Sequence, residues 1–287
     1  MKTELTPTNV LWTAFKVVIY AAMVFFALTF VFIFIWVLIN SFKTAPGFMM
    51  DALGLPEGEW DFKNYLDVFN FEYKNNNLYQ MLFNTVVMIA ISVFCTMSFP
   101  VMAGYVFGRM EFKGRAKFEA FLYILMTIPI IGGASAQLKF LSGLELYDTY
   151  FGLFILQSGA FGSGMLILTA FFRGLPSTYA EAAYIDGAGE FMVFLKIYYP
   201  QALPLLSINI ISSIIAVWND YMTAYIFLPS HPTVALGLQQ LQRAADVRGS
   251  DYPMMFAGIV LTMIPVFIVF GFIAKNIFNS KDIGALK

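Results

Sequence analysis

The sequence predicts an all-α integral membrane protein with six transmembrane helices and one ordered loop between the fourth and fifth. Three observations carry this expectation. The 287 residues are 59% hydrophobic and only 12% charged, whereas soluble domains carry about 25% charged residues. The apolar residues fall into six uncharged stretches: Val17–Ile39, Asn75–Gly108, Ala120–Leu138, Thr149–Phe172, Ile197–Asn219 and Tyr252–Ala274. A spanning helix needs about 20 such residues. The third observation is the Glu181–Pro200 segment, which reads as an amphipathic helix-turn-helix set between two of those stretches.

The first stretch reaches about 35 Å as a helix, enough to cross with some tilt. It is too long for a signal-peptide core and no small-residue cleavage site follows it, so it reads as a retained first span over 15–40. The second span, 78–107, starts after Asn75-Asn76-Asn77. The third and fourth are placed at 119–139 and 149–173, the fifth at 200–227 and the sixth at 252–276. The chain thus reads as one transmembrane domain over 1–287. Helix breakers interrupt several spans: Pro100 in the second, Pro129 and Gly132-Gly133 in the third, Gly159, Gly162 and Gly164 in the fourth, Pro265 in the sixth. Backbone groups freed in lipid must be satisfied by protein or water. These positions therefore mark either bends around a solute path or packing kinks.

Charge sets the orientation. The short Arg109–Lys117 loop holds Arg109, Lys113, Arg115 and Lys117, and basic loops stay cytoplasmic. Both termini and the loop over 177–199 then lie inside, and the segments 41–77 and 228–251 lie outside. The 41–77 segment is punctuated by Pro46, Gly47, Gly54, Pro56 and Gly58. It carries a partly helical apolar stripe of Trp60, Phe62, Tyr65, Leu66, Val68 and Phe69. It reads as a loop with little core, folded over on the membrane surface.

Several function classes are excluded or disfavoured. A net charge of -1 gives no basic field for nucleic acid. Asp220 is the one acid near a span, and it falls close to the outer interface, so no proton relay crosses the membrane. The lone His231 sits beside Pro232 in an outer loop and reads as a surface residue. Cys95 cannot pair within the chain. No Gly-Lys dipeptide occurs, so there is no nucleotide phosphate loop, and no metal ligands or Ser/His pair gather in the spans. An ion-coupled carrier would show charged pairs or an internal repeat, and neither stands out.

The 177–199 loop is the most specific feature. Ser177 is expected as the N-cap of a short helix through Tyr179–Ile185, and Gly187 fits a left-handed C-cap. A second short helix is expected near 188–196, with Phe191, Val193, Phe194 and Ile197 on its apolar face. Pro200 then opens the fifth span.

The string Glu181-Ala182-Ala183, three residues, Gly187, nine residues, Ile197, one residue, Tyr199-Pro200 resembles the EAA signature of membrane subunits of binding-protein-dependent ABC importers. Tyr199 replaces the usual Leu. Asn84-Thr85, Leu144–Asp148, Phe171-Phe172, Trp218-Asn219-Asp220, Thr233–Leu238 and a basic tail are similar to the carbohydrate branch, above all its second, maltose-type permease. The departures are Gly159-Ala160-Phe161, where relatives often have a Pro-Phe pair, and the tail Asn279–Lys287.

The resemblance implies a type I importer fold, with the loop as a coupling helix docked on a separate ATPase dimer. Glu181 would make the polar contact, Ala182 and Ala183 would allow close approach, and Asp186-Gly187 would set the turn. ATP and Mg would bind the ATPase, and no cofactor would bind this chain. The other partners implied are a second permease in a heterodimer, an extracytoplasmic solute-binding protein and membrane lipid, in a prokaryotic plasma membrane. Gln239, Gln240, Gln242 and Arg243 would reach the binding protein. Trp218, Asn219, Asp220 and Tyr221 are the candidates for the solute path, with an interfacial-anchor reading beside them. The solute implied is a sugar or oligosaccharide. A polyamine or phosphate ester is the alternative, although a polyamine path wants several carboxylates and a phosphate ester wants Arg in the path.

Overall fold

A computed structural model describes residues 7–56, 60–128, 132–249 and 251–279. Gly58, Pro129, the tail over 280–287 and residues 1–6 lie outside the described residues. The described elements are helical: α1 (Pro7–Asn40), α2 (Ala45–Met50), α3 (Lys63–Phe69), α4 (Leu78–Arg109), α5 (Arg115–Thr127), α6 (Gly133–Gly143) and α7 (Tyr150–Gln157). There follow α8 (Ser163–Gly174), α9 (Thr178–Ile185), α10 (Glu190–Val193), a π-helical turn (Phe194–Tyr198), α11 (Tyr199–Asn219), α12 (Met222–Phe227), α13 (Val234–Arg248) and α14 (Tyr252–Asn279). Among the described residues, three helical stretches are long and apolar enough to cross a membrane: Leu11–Asn40, Leu78–Arg109 and Glu190–Asn219. The chain forms two compact units, 1–71 with 238–287, and 72–237.

In the first unit α1 and α14 are joined by aromatic edges. Phe34 meets Phe267 at 5.7 Å and Trp36 meets Phe256 at 5.2 Å between ring centres, both nearly perpendicular. Edge-to-face pairs add attraction beyond contact area. The segment after α1 corrects the expectation of a loop with little core. Phe42 gathers Trp60, Phe62 and Tyr65 at 5.1 to 5.2 Å. Lys43 is buried and donates to the Asp51 carbonyl at 2.6 Å. Asn64 donates to the carbonyls of Ser41 and Lys43, both at 2.9 Å. The aromatic residues fold back onto the end of α1, and the backbone polar groups exposed by that fold are taken up by Asn64.

In the second unit α4 is the central strut. Asn77 and Gln80 form a reciprocal capping box at its start, with bonds of 3.1 and 2.8 Å. One face of α4 carries Gly104 and Gly108, one helical turn apart. A Cβ on Gly104 would stand 2.6 Å from the Leu168 Cβ, and one on Gly108 would stand 2.8 Å from the Phe172 Cβ. The backbones of α4 and α8 approach closely only because both side chains are missing, the usual device for helix contacts in lipid.

The other expected spans of this unit are divided. The third is split between α5, 13 residues, and α6, 11 residues, with Gly132 at φ 73° capping α6. The fourth is split into α7, 8 residues, and α8, 12 residues, around Gly159 and Gly162. The fifth stops at Asn219 and resumes at Met222 as α12. Of these breaks, the one before α6 uses a left-handed conformation that a Cβ resists, at Gly132.

Gly108→Leu is expected to drive a side chain into Phe172 and the α8 backbone. Overpacking of this kind costs about 1–3 kcal/mol. The variant should show reduced yield of monodisperse protein in detergent, while Gly108→Ala should lie between it and wild type. Equal yield and thermal melting for all three would contradict the close approach.

Candidate functional site

The loop joining α8 to α11 contains the signature residues. Its first helix, α9, ends in a complete Schellman turn. Gly187 has φ 82°, its N–H donates to the Tyr184 carbonyl at 3.0 Å, and the Ala188 N–H donates to the Ala183 carbonyl at 2.9 Å. No atom lies within 4 Å of a Cβ built on Gly187. Conformation alone therefore selects glycine here.

The start of α9 differs from expectation. Ser177 occupies the N-cap position with helical dihedrals, and its side chain makes no capping bond. Its carbonyl instead accepts from the Ala180 and Glu181 amides at 2.9 and 3.1 Å. The second short helix also differs. Glu190–Asn219 is one continuous helical rod, joined through the π-turn. The Tyr199 amide bonds back to the Phe194 carbonyl, five residues earlier. Pro200 has no N–H to give and its ring crowds the preceding turn. The wider π-turn just before it fits that defect without ending the helix.

Glu181, Ala182, Asp186 and Gly187 are exposed and Ala183 is half-buried. The opposite side of the loop is anchored. Ala180, Val193, Phe194 and Tyr198 are buried in a cluster with Val101 and Tyr105 of α4 and Leu168 and Phe172 of α8. Polar bonds reinforce that anchor. Glu190 is half-buried and accepts from two phenols, Tyr105 at 2.6 Å and Tyr184 at 2.5 Å. Partial burial, and then the Glu190 carboxylate, hold the Tyr184 hydroxyl above its ordinary pKa. Arg109, the last residue of α4, donates to the Leu175 carbonyl at 2.9 Å and the Pro176 carbonyl at 3.2 Å. Its guanidinium also bonds the Tyr198 hydroxyl and lies 4.7 Å from that ring's centre.

Tyr105, Tyr184, Glu190 and Tyr198 carry no signal that the sequence reading could use. Arg109 registers there only as a basic loop residue. The contacts they make with α4 join positions 85 and 89 residues apart; of the signature, Glu181, Ala182 and Gly187 are exposed, whereas Ala183, Ile197 and Tyr199 pack against the same buried cluster.

The other candidates lie elsewhere. Trp218 and Asp220 are half-buried, Asn219 and Tyr221 exposed. Asp220 is engaged locally, because its carboxylate accepts from the Met222 and Thr223 amides at 2.9 and 3.0 Å and from the Thr223 hydroxyl. It caps α12. The Asn219 amide donates to the Ile215 carbonyl at 2.8 Å. Gln239, Gln240, Gln242 and Arg243 lie on α13. Gln239 and Gln240 are half-buried and bonded to each other at 3.1 Å, whereas Gln242 and Arg243 are exposed.

At the Leu78 end of α4 a second set of polar bonds holds the 228–234 segment. Asn84 donates to the Pro232 carbonyl at 3.0 Å and accepts from the Tyr150 hydroxyl at 2.7 Å. The Thr85 hydroxyl accepts from the Val234 amide at 3.0 Å. Asp148 accepts from the Ser230 amide at 3.0 Å and lies 3.5 Å from the His231 imidazole. His231 is packed on the Tyr150 ring at 4.6 Å. It is thus a partly shielded member of this corner, more than the surface residue expected.

The chain is 28% identical to the diacetylchitobiose uptake system permease protein NgcG of Streptomyces coelicolor, over 95% of this chain and 89% of that protein. It is 28% identical to the trehalose/maltose transport system permease protein MalG of Thermococcus litoralis, over 95% of this chain and 97% of that one. Its fold matches a chain in the crystal structure of a bacterial ABC transporter involved in the import of the acidic polysaccharide alginate. That match has TM-score 0.75 and 22% identity, and covers 92% of this chain and 96% of the other. A family model covers residues 100–280, from the middle of α4 past the exposed loop to the end of α14, and by that match the chain belongs to the family of binding-protein-dependent transport system inner membrane components.

Proposed function

We propose that this chain is one of two permease subunits of an ATP-driven importer for a sugar or oligosaccharide, coupled to a separate ATPase through the exposed face of α9. Membership of the family makes it a non-catalytic, multi-pass inner-membrane subunit. A carrier acting alone is thereby set aside. The observation that carries the coupling reading is the two-sided loop: Glu181, Ala182 and Gly187 exposed on one side, and an anchored apolar and polar base on the other. A loop that is free on one face and rigidly held on the other can receive a partner and pass on its motion. Alanine at 182 and 183 lets a partner's backbone come close, and Glu181 offers a charge for hydrogen bonding.

The solute reading is supported by the relatives, whose names give diacetylchitobiose, arabinooligosaccharides, and trehalose or maltose as what they transport. ATP and Mg would then belong to the ATPase dimer. A binding protein would meet the polar α13 surface around Gln242 and Arg243, as amides and guanidinium suit hydroxyl-rich partners and their carriers. Asp220 fits a capping role better than a solute contact, which leaves Trp218 and Tyr221 as the aromatic candidates. The six-span arrangement, with both termini and the 177–199 loop cytoplasmic, completes the reading.

The direct test is gentle extraction of the tagged chain from its host. An ATPase and a second permease should co-purify, and recovery of the chain alone would overturn the proposal. Gly187→Val should strongly reduce oligosaccharide uptake per ATP, because a left-handed conformation costs a residue with a Cβ about 1–2 kcal/mol. Gly187→Asn should keep most uptake, since Asn tolerates that region. Normal uptake by the Val variant would count against the turn's role. For orientation, a cysteine at Lys113 should be shielded from an impermeant thiol reagent in intact cells, and one at Gln242 labelled. The reverse pattern would invert the topology.

A further inference from the structure

Arg173, in the last turn of α8, reaches out of its own helix to two others. Its guanidinium donates to the Phe107 carbonyl of α4 at 3.2 Å and to the Glu119 carboxylate of α5 at 2.6 Å. Arg115, one turn before Glu119, lies 3.9 Å from the same carboxylate and donates to the Met110 carbonyl at 3.2 Å. Beside these groups is an open cavity of about 670 Å³, lined mainly by Phe112, Arg115, Lys117, Glu119 and Arg173. Sites for small ligands run to about 300–1,000 Å³.

The lining carries three cations and one carboxylate. Glu119 is already shared by the two guanidiniums. Lys117 is exposed and has no ion-pair partner among the described residues. The cavity therefore holds excess positive charge, to which the uncapped first turn of α5 adds. A loop that serves only to orient a chain in the membrane needs basic residues and no particular shape. Here one wall comes from a different helix, since Arg173 and Glu119 are 54 positions apart.

The surroundings select the kind of anion. Beyond the cavity α5 continues with Phe118, Phe121, Ile124 and Leu125 exposed, three or four residues apart and so on one side of the helix. A soluble phosphate makes no use of such an apolar track, whereas an acyl chain can lie along it. Basic pockets among membrane helices on the cytoplasmic side suit anionic lipid headgroups.

We propose that this cavity binds the phosphate headgroup of an anionic phospholipid, with the acyl chains along the Phe118–Leu125 side of α5. Arg115 and Lys117 contact the phosphate, and Arg173 is a positioning residue that holds the wall through Glu119. The lipid belongs to the inner leaflet, an assignment that rests on the cytoplasmic placement of the 109–117 loop. The site itself does not depend on that placement, nor on coupling to an ATPase.

The test uses the purified assembly, with whatever partners it retains, in nanodiscs of phosphatidylcholine containing graded phosphatidylglycerol. Hydrogen exchange is read over 112–119. Phosphatidylglycerol should slow exchange there, relative to phosphatidylcholine alone. Lys117→Gln breaks no bond in the structure. It should raise the phosphatidylglycerol content needed for half-protection about fivefold, the effect of one basic residue near an anionic surface. Lys117→Arg, which keeps the charge, should respond as wild type. Lys196→Gln removes an exposed charge outside the cavity and should leave the midpoint where it was.

A wild-type assembly that phosphatidylglycerol does not protect over 112–119 would overturn the site. So would equal shifts for Lys117→Gln and Lys196→Gln, which would mean a general surface field. Equal protection by soluble glycerol 1-phosphate, added to phosphatidylcholine nanodiscs, would make the ligand a free phosphate ester and overturn the lipid. Labelling of Lys113→Cys from outside intact cells would overturn the leaflet alone. Recovery of the chain without an ATPase defeats the coupling reading, and the lipid measurement is then made on the chain as recovered.

Discussion

The approach of α4 to α8 across Gly104 and Gly108 is the contact on which the Glu72–Gly237 unit depends. In lipid there is little hydrophobic gain from pressing two apolar helices together, so close packing and polar bonds must supply the attraction. Removing two side chains one turn apart brings the backbones together and sets Leu168 and Phe172 against α4. Phe172 then forms part of the buried floor with Tyr105, Val193, Phe194 and Tyr198. The exposed loop rests on that floor. If α8 stood farther from α4, the floor would open, and Arg109 would lose its reach to the carbonyls of Leu175 and Pro176.

The same economy governs the breaks in the other helices. A break in a membrane helix exposes carbonyls and amides that need partners. At the α11–α12 break Asp220 takes two amides and a hydroxyl. At the α7 start the Thr149 hydroxyl accepts from the Gly152 amide at 3.0 Å. Asp148, just before it, takes the Ser230 amide from a distant segment. The polar residues near the spans thus serve the backbone first. Asp220 illustrates the consequence: an acid beside an apolar stretch invites a solute-binding reading, and its carboxylate also holds the first turn of α12.

The apolar segments, the turn at Gly187 and the exposed signature were legible in the chain itself. Gly187 could be read because a left-handed C-cap is a local requirement, fixed by the residues on either side of it. Helix continuity was harder to read. Pro200 looked like a boundary, but the rod runs through it, because a five-residue π-turn on its N-terminal side, Phe194–Tyr198, accommodates the missing donor. The aromatic core around Phe42 was missed for the opposite reason. Its members are punctuated by Gly and Pro, which locally argue for a loop, and only their convergence makes a core.

What the sequence determined by itself was the membrane class, the order of the apolar segments and the Glu181–Pro200 signature string, since each follows from composition or from spacing within about 20 residues. What only the tertiary structure decided was how the signature loop is held. The bonds from Tyr105 to Glu190 and from Arg109 to Tyr198 join residues 85 and 89 positions apart. No periodicity or local propensity encodes such pairs. They exist because two glycines let α8 lie against α4 and bring the loop's base within hydrogen-bonding reach of that helix's end.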